Sequence, residues 1–171
     1  MGLAISWQHI HKITFRGEMT GHNPTDRSKL GSKRHILTDK NGIPLSTFIT
    51  SANTHDVTVA TNTMDNIVIK RPSYNKSKHK QNLCLDKAYH SKEVEQGIIK
   101  RGYISHIRHR REEIIFCRKK HPARRWVVER TNSWHNRFRK LFTRYEKKDE
   151  NYFGLVELAN SLIVYRRLIL R

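Results

Sequence analysis

The chain has 171 residues of which 36% are apolar, enough for one sizeable core and short for two, so a single domain is expected. Its 34 Lys and Arg against 15 Asp and Glu give a formal net charge of +19, spread along the chain, which points to a polyanionic partner and favours nucleic acid over a membrane surface. No run approaches the roughly 20 apolar residues of a spanning helix, and Met1 to Trp7 has neither a charged n-region nor the length of a signal h-region, so a cytoplasmic, nucleoid-associated protein is expected. Cys84 and Cys117 make no disulfide framework, and the 11 histidines lack the paired spacing of a zinc site.

In chain order, Leu3-Ala4-Ile5-Ser6-Trp7 can form a strand. Residues 21 to 34, rich in Gly, Pro, Asn, Ser and cations, read as a basic loop, either an exposed turn region or a phosphate contact. His35 to Thr38 and Ile43 to Thr50 flank Asn41-Gly42, a hairpin signal, with Pro44 at a strand end that lacks a ladder partner. Val57, Ala60, Met64 and Ile67 follow candidate N-caps in Asn53-Thr54-His55-Asp56 and predict a helix over about 56 to 67. A basic linker runs from Lys70 to Gln81.

Asn82-Leu83-Cys84-Leu85 reads as a short buried strand that delivers Asp86 at its carboxyl end. Ser91 caps a helix through about Lys100, stopped by Gly102, and Tyr103 to Ile107 forms the next strand. Sites in α/β sheets gather at the carboxyl ends of strands, which makes Asp86 a candidate functional carboxylate as well as a candidate cap. From Arg108 to Arg125 eight Lys or Arg occur with little period, a mobile, positively charged connection able to follow a phosphate backbone.

Two helices close the chain, over about 122 to 147 and 151 to 168. In the first, Val127, Thr131, Trp134, Phe138, Leu141 and Tyr145 form one stripe, with Arg125, Glu129, Asn132 and Asn136 roughly opposite, so Glu129 faces away from the packed side. Arg130, Arg137 and Arg144 repeat every seven residues as a basic ridge. Trp126 and Trp134 can stack on bases, although Trp134, lying in the stripe, reads as core.

Several ordered blocks then resemble the DDE transposases of bacterial insertion sequences: Asn23-Pro24-Thr25-Asp26-Arg27, Lys29 to His35, Gly42-Ile43-Pro44, Ser51 to Asp56, Asp86-Lys87-Ala88-Tyr89 and Arg125 to Arg130. The similarity runs from about Gly17 to Leu168, with residues 1 to 16 matching poorly. It implies one catalytic-core domain over 1 to 171 with a ribonuclease-H-like α/β fold, in which antiparallel hairpin strands are followed by parallel ones, flanked by helices. It also implies DNA transposition by cleavage and strand transfer, two Mg2+ or Mn2+ ions held by an Asp, Asp, Glu trio, and element-end and target DNA as partners. Whether a homodimer forms on DNA stays open.

By position, Asp86 resembles the second Asp and Glu129 the Glu, as catalytic and metal-binding residues. Arg27, Lys29, Lys33, Arg34, Lys87, Arg125, Arg130 and Arg137 are the expected DNA contacts. Two features depart from the family pattern. The basic residue expected seven positions after Glu129 is replaced by Asn136, with Arg137 adjacent. The position of the first Asp falls near Trp7, and residues 1 to 25 contain no Asp; Asp26 and Asp39 are poor substitutes. With the family's N-terminal DNA-binding region also missing from the sequence, a truncated or degenerate copy is expected, one that binds DNA and cleaves poorly. The alternative readings are a non-catalytic basic nucleic-acid-binding protein and a fragment that regulates an intact transposase.

Overall fold

Side-chain alternation along three central strands divides the protein into two packed faces. In the computed structural model, which describes residues 2–10, 12–14, 16–24, 26–69, 80–107 and 125–170, β1 (Gly2–Ile10) lies mid-sheet. It runs antiparallel to β4 (Leu30–Thr38), with Ile5 opposite Leu37, and parallel to β6 (Gln81–Leu85), with Ile5 opposite Leu85. Outside β4 lies β5 (Pro44–Ser51), antiparallel, and outside β6 lies β7 (Tyr103–Ile107), parallel. The order is thus β5-β4-β1-β6-β7, with β3 (Gly21–His22) joined to the start of β4. Three antiparallel strands followed by two parallel ones, with helices on both faces, form the expected ribonuclease-H-like arrangement.

Residues two apart on a strand share a face. Leu3 and Ile5, Leu37, Leu83 and Leu85 meet Ala60 and Met64 of α1 (Asp56–Asp65) and Val94 and Ile98 of α2 (Lys92–Lys100) in the larger core. Ala4, Ile36 and Cys84, one position out of phase, meet Val128 of α3 (Arg125–Asn136) on the other face. Beside them Ile49 packs with Leu141 of α4 (Arg139–Phe142) and with Tyr152, Val156 and Ala159 of α5 (Asp149–Leu168). Parallel neighbours need a crossover, and α1 and α2 supply the helices for the connections into β6 and β7.

The local signals read from the sequence act as expected in several places. The Asp39 carboxylate accepts from the backbone N–H groups of Asn41 and Ile43, both at 2.8 Å, and Gly42 takes φ +79°, closing the hairpin. Ser91 Oγ accepts from Val94 N at 3.1 Å, and Gly102 ends α2 with φ +76°.

Two expectations are corrected. The basic loop ends at Lys29, because β4 already begins at Leu30; Lys33 and Arg34 are strand residues, 7% and 1% exposed. The helix expected over 122 to 147 stops at Asn136, and after Phe138 the chain makes only α4 before Thr143–Arg144 enters β8, which pairs with Lys12–Ile13 of β2. The cause is Arg144, 1% exposed, which donates to Ser32 Oγ at 2.8 Å, Glu18 O at 2.8 Å and Glu146 O at 2.9 Å. Those bonds require Arg144 to sit against β4 and the segment before β3, which a continuous helix would prevent. The basic ridge therefore loses Arg144. The linker over 70–79 and the eight-cation segment before Arg125 lie outside the described residues.

Candidate functional site

The candidate carboxylates lie on elements that share one apolar cluster. Cys84 of β6 and Val128 of α3 pack together with Ala4 and Ile36; Asp86 follows Cys84 by two residues, and Glu129 follows Val128 by one. Asp86 is half-buried at the end of β6 and Glu129 is exposed on α3. Parallel pairing of β1 and β6 puts Ser6 one step beyond the Ile5–Leu85 pair, so the first-strand position beside Asp86 falls at Ser6 and Trp7. β1 reads GLAISWQHI and supplies no carboxylate. Among the described residues no three His, Cys, Asp or Glu side chains form a ready metal cage. Asp26 and Asp39 serve loops: Asp26 stands 3.4 Å from Lys29 Nζ, and Asp39 braces the hairpin turn.

Behind Asp86 lies a buried polar network the sequence reading missed. The chain leaves β6 through a 3-10 turn, Lys87–Tyr89, closed by Tyr89 N donating to Asp86 O at 3.0 Å. Tyr89 is wholly buried, with its hydroxyl 2.8 Å from His35 Nδ1, while His35 Nε2 lies 2.9 Å from Thr50 Oγ1. Lys33 Nζ donates to Asp56 Oδ1 at 3.0 Å and to Thr54 O at 2.9 Å. Burial pushes the Asp56 carboxyl up, the Lys33 ammonium opposes this, and the charge of Asp86 adds to it. Burial also raises the Tyr89 phenol, with Asp56 and Asp86 contributing. The charge of Asp86 thus reaches both Asp56 and Tyr89. Asp56 had read only as a helix cap; its place in the block Ser51 to Asp56 was the available signal.

The expected DNA contacts whose side chains are described divide into three groups. Arg27, Lys29 and Arg137 are exposed. Lys33 and Arg34 are corrected: Lys33 is committed to Asp56 and Thr54, and Arg34 Nη2 donates to Asn136 Oδ1 at 3.3 Å on the opposite face, so neither is presented as a loop cation would be. Arg130 donates to the carbonyl of Asn41, and Thr131 Oγ1 donates to Gly42 O at 2.6 Å, so these residues clamp α3 to the hairpin turn. The side chains of Lys87 and Arg125 lie outside what is described. Asn136, the departure from the family pattern, is the acceptor for Arg34. Trp134 is half-buried rather than core, with the guanidinium carbons of Arg167 and Arg130 at 4.2 and 5.3 Å from its ring centre.

A second buried polar link ties α3 to α5. His135 Nε2 lies 2.8 Å from Asn160 Oδ1, and Asn160 Nδ2 donates to Thr47 Oγ1 at 2.9 Å. Since the amide oxygen can only accept, Nε2 carries the hydrogen. Burial and the Arg34 charge push the imidazole down to about 4.

Comparison with known proteins places the sequence in a family. The sequence profile described as Transposase DDE domain matches residues 5–163. The transposase assigned to insertion sequence element IS402 of Burkholderia cepacia is 36% identical over 150 residues, covering 87% of this chain and 70% of the relative. Among solved structures, the piggyBac transposase synaptic complex with hairpin DNA overlaps 62% of this chain and 22% of its own, at 18% identity and TM-score 0.40. Among the described residues no helix is long and apolar enough to cross a membrane. Over nearly its whole length, the chain belongs to the DDE-domain family of insertion-sequence transposases.

Proposed function

We propose that this protein binds insertion-sequence DNA and that Asp86 and Glu129 hold one divalent cation against the sugar-phosphate backbone. The observation that carries the reading is the cluster of Ala4, Ile36 and Val128, against which Cys84 packs, so that β6 and α3 share one face of the sheet. The donor chemistry fits Mg2+ or Mn2+: both side chains offer hard oxygen, and Mg2+ is commonly held by one or two carboxylates completed by water and substrate phosphates. Such an ion, when bound, supplies charge neutralisation at the phosphate.

The residues present fit one ion better than two, because β1 brings no acid beside Asp86. Two-metal transfer needs both the attacking and the leaving oxygen clamped, so DNA cleavage by this chain is proposed to be weak. Within the chain, the Tyr89–His35 contact and the 3-10 turn hold Asp86 at the end of its strand, and the clamp from Arg130 and Thr131 holds the turn of α3 that carries Glu129.

Titration with Mn2+ by calorimetry, with and without element-end DNA, tests the site. Uptake lost in both Asp86→Ala and Glu129→Ala is expected; uptake indifferent to either residue would remove the metal reading and leave a basic DNA-binding protein. A nicking assay on labelled element ends tests the second part. Only trace product is expected, and efficient cutting abolished by Asp86→Ala would contradict the claim of weak cleavage.

A further inference from the structure

At the C-terminal ends of α3 and α5 there is a cleft of about 290 Å³ lined by Trp134, Arg137, Phe138, Ile163, Arg166 and Arg167. Its floor is apolar and aromatic: Ile163 is buried and Trp134 and Phe138 are half-buried. Its rim carries three exposed guanidinium groups, Arg137, Arg166 and Arg167, none in an ion pair with a carboxylate among the described residues. The segments that build it, Thr131 to Arg144 and Leu158 to Leu170, contain no Asp or Glu, while Arg139 and Lys140 add two more exposed cations nearby.

Cations in the last turn of α5 complement the negative end of its dipole, which accounts in part for Arg166 and Arg167. It does not account for Arg137 on another element, nor for an aromatic floor under a cationic rim. Three full charges exceed the roughly half charge of a helix terminus, so the cleft mouth remains an anion attractor. A flat, π-bearing anion satisfies both parts, and a nucleotide is such a ligand: its phosphate matches the guanidinium forks and its base matches the rings. The volume lies at the small end of ligand sites, near 300 Å³, and is adequate for a single base.

We propose that this cleft is a second DNA-contact site that receives one unpaired nucleotide, its base displacing the Arg167 guanidinium that lies 4.2 Å from the Trp134 ring centre and packing against Trp134 and Phe138, its phosphate meeting Arg137, Arg166 and the displaced Arg167. The inference rests on the reading of the chain as DNA-binding and adds a site away from the carboxylates. Arg137 lies eight residues beyond Glu129 on the same helix and its following turn, which is about 12 Å of axial rise. A strand whose phosphate met Glu129 would therefore place a neighbouring nucleotide within reach of the cleft.

Fluorescence anisotropy of the full chain with labelled oligothymidine and with a labelled duplex tests the site, using wild type, Trp134→Leu and the double variant Arg166→Gln/Arg167→Gln. Single-strand affinity is expected to fall about tenfold in each variant, with duplex affinity changed far less. Photo-crosslinking of 5-iodouracil DNA is expected to label Trp134. The arginine positions are exposed, so the double variant keeps the test valid if Trp134→Leu fails to fold. Equal losses for both DNAs, or single-strand binding unchanged with no crosslink at Trp134, would overturn the cleft and leave the DNA-binding reading standing. Wild-type protein that binds neither DNA would bring down both.

Discussion

His135 shows how burial converts one side chain into a pH-dependent contribution. Its folded value of about 4 lies below the ordinary 6.5, so between those values the unfolded chain binds the extra proton. Stability from this group is therefore complete above about pH 6.5 and lost as pH falls toward 4, by on the order of 3 kcal/mol. Urea unfolding at pH 7.5 and pH 5 should show this drop, and His135→Gln should flatten it; an equally steep drop in the variant would place the effect elsewhere. Residue identity alone could not reveal this, because His135 stands in the sequence between Trp134 and Asn136 with no burial signal of its own, and only the fold brings Asn160 and Arg34 to it. The positions of Asp86 at a strand end and of Glu129 on a helix, by contrast, were legible, since both are local patterns. Asp56 was not, because its link to Lys33 spans 23 positions.

At the scale of elements, local chemistry was readable and long-range competition was not. The hairpin, the Ser91 cap and the Gly102 stop each depend on a few neighbouring residues and form where expected. The break in the long C-terminal helix has no Gly or Pro to announce it, and it follows from bonds between Arg144 and residues more than a hundred positions earlier. Arg144→Ala should therefore strand buried acceptors and cost about 3 kcal/mol or more, seen as a lowered urea midpoint. The hairpin clamp makes a second prediction. A Cβ at Gly42 would stand 3.0 Å from Thr131 Oγ1 and 3.2 Å from Arg130 Nε, at a φ that other residues resist. Gly42→Ala should cost about 1–3 kcal/mol, and a variant as stable as wild type would show that the α3 clamp is slack.

For the whole molecule, the net charge of +19 and the two-faced sheet act together. Among the described residues, the buried cations are Lys33, Arg34 and Arg144. DNA affinity is accordingly expected to fall steeply with added salt, as neutralised phosphates release counterions, and a flat log–log plot of affinity against salt would contradict a backbone-dominated interface. The mixed sheet, antiparallel strands followed by parallel ones, was legible from the family resemblance; the small β2–β8 pair was not, since two-residue strands carry no periodic signal.

That small pair, with the Arg144 bonds beside it, joins the first fifth of the chain to its last. During synthesis, residues 12 to 34 can emerge from the ribosome and wait, because the guanidinium that gathers Glu18 and Ser32 has yet to be translated. A nascent chain halted before position 144 would lack the donor that gathers Glu18 and Ser32, while β1, β4 and β5 could already pair with one another.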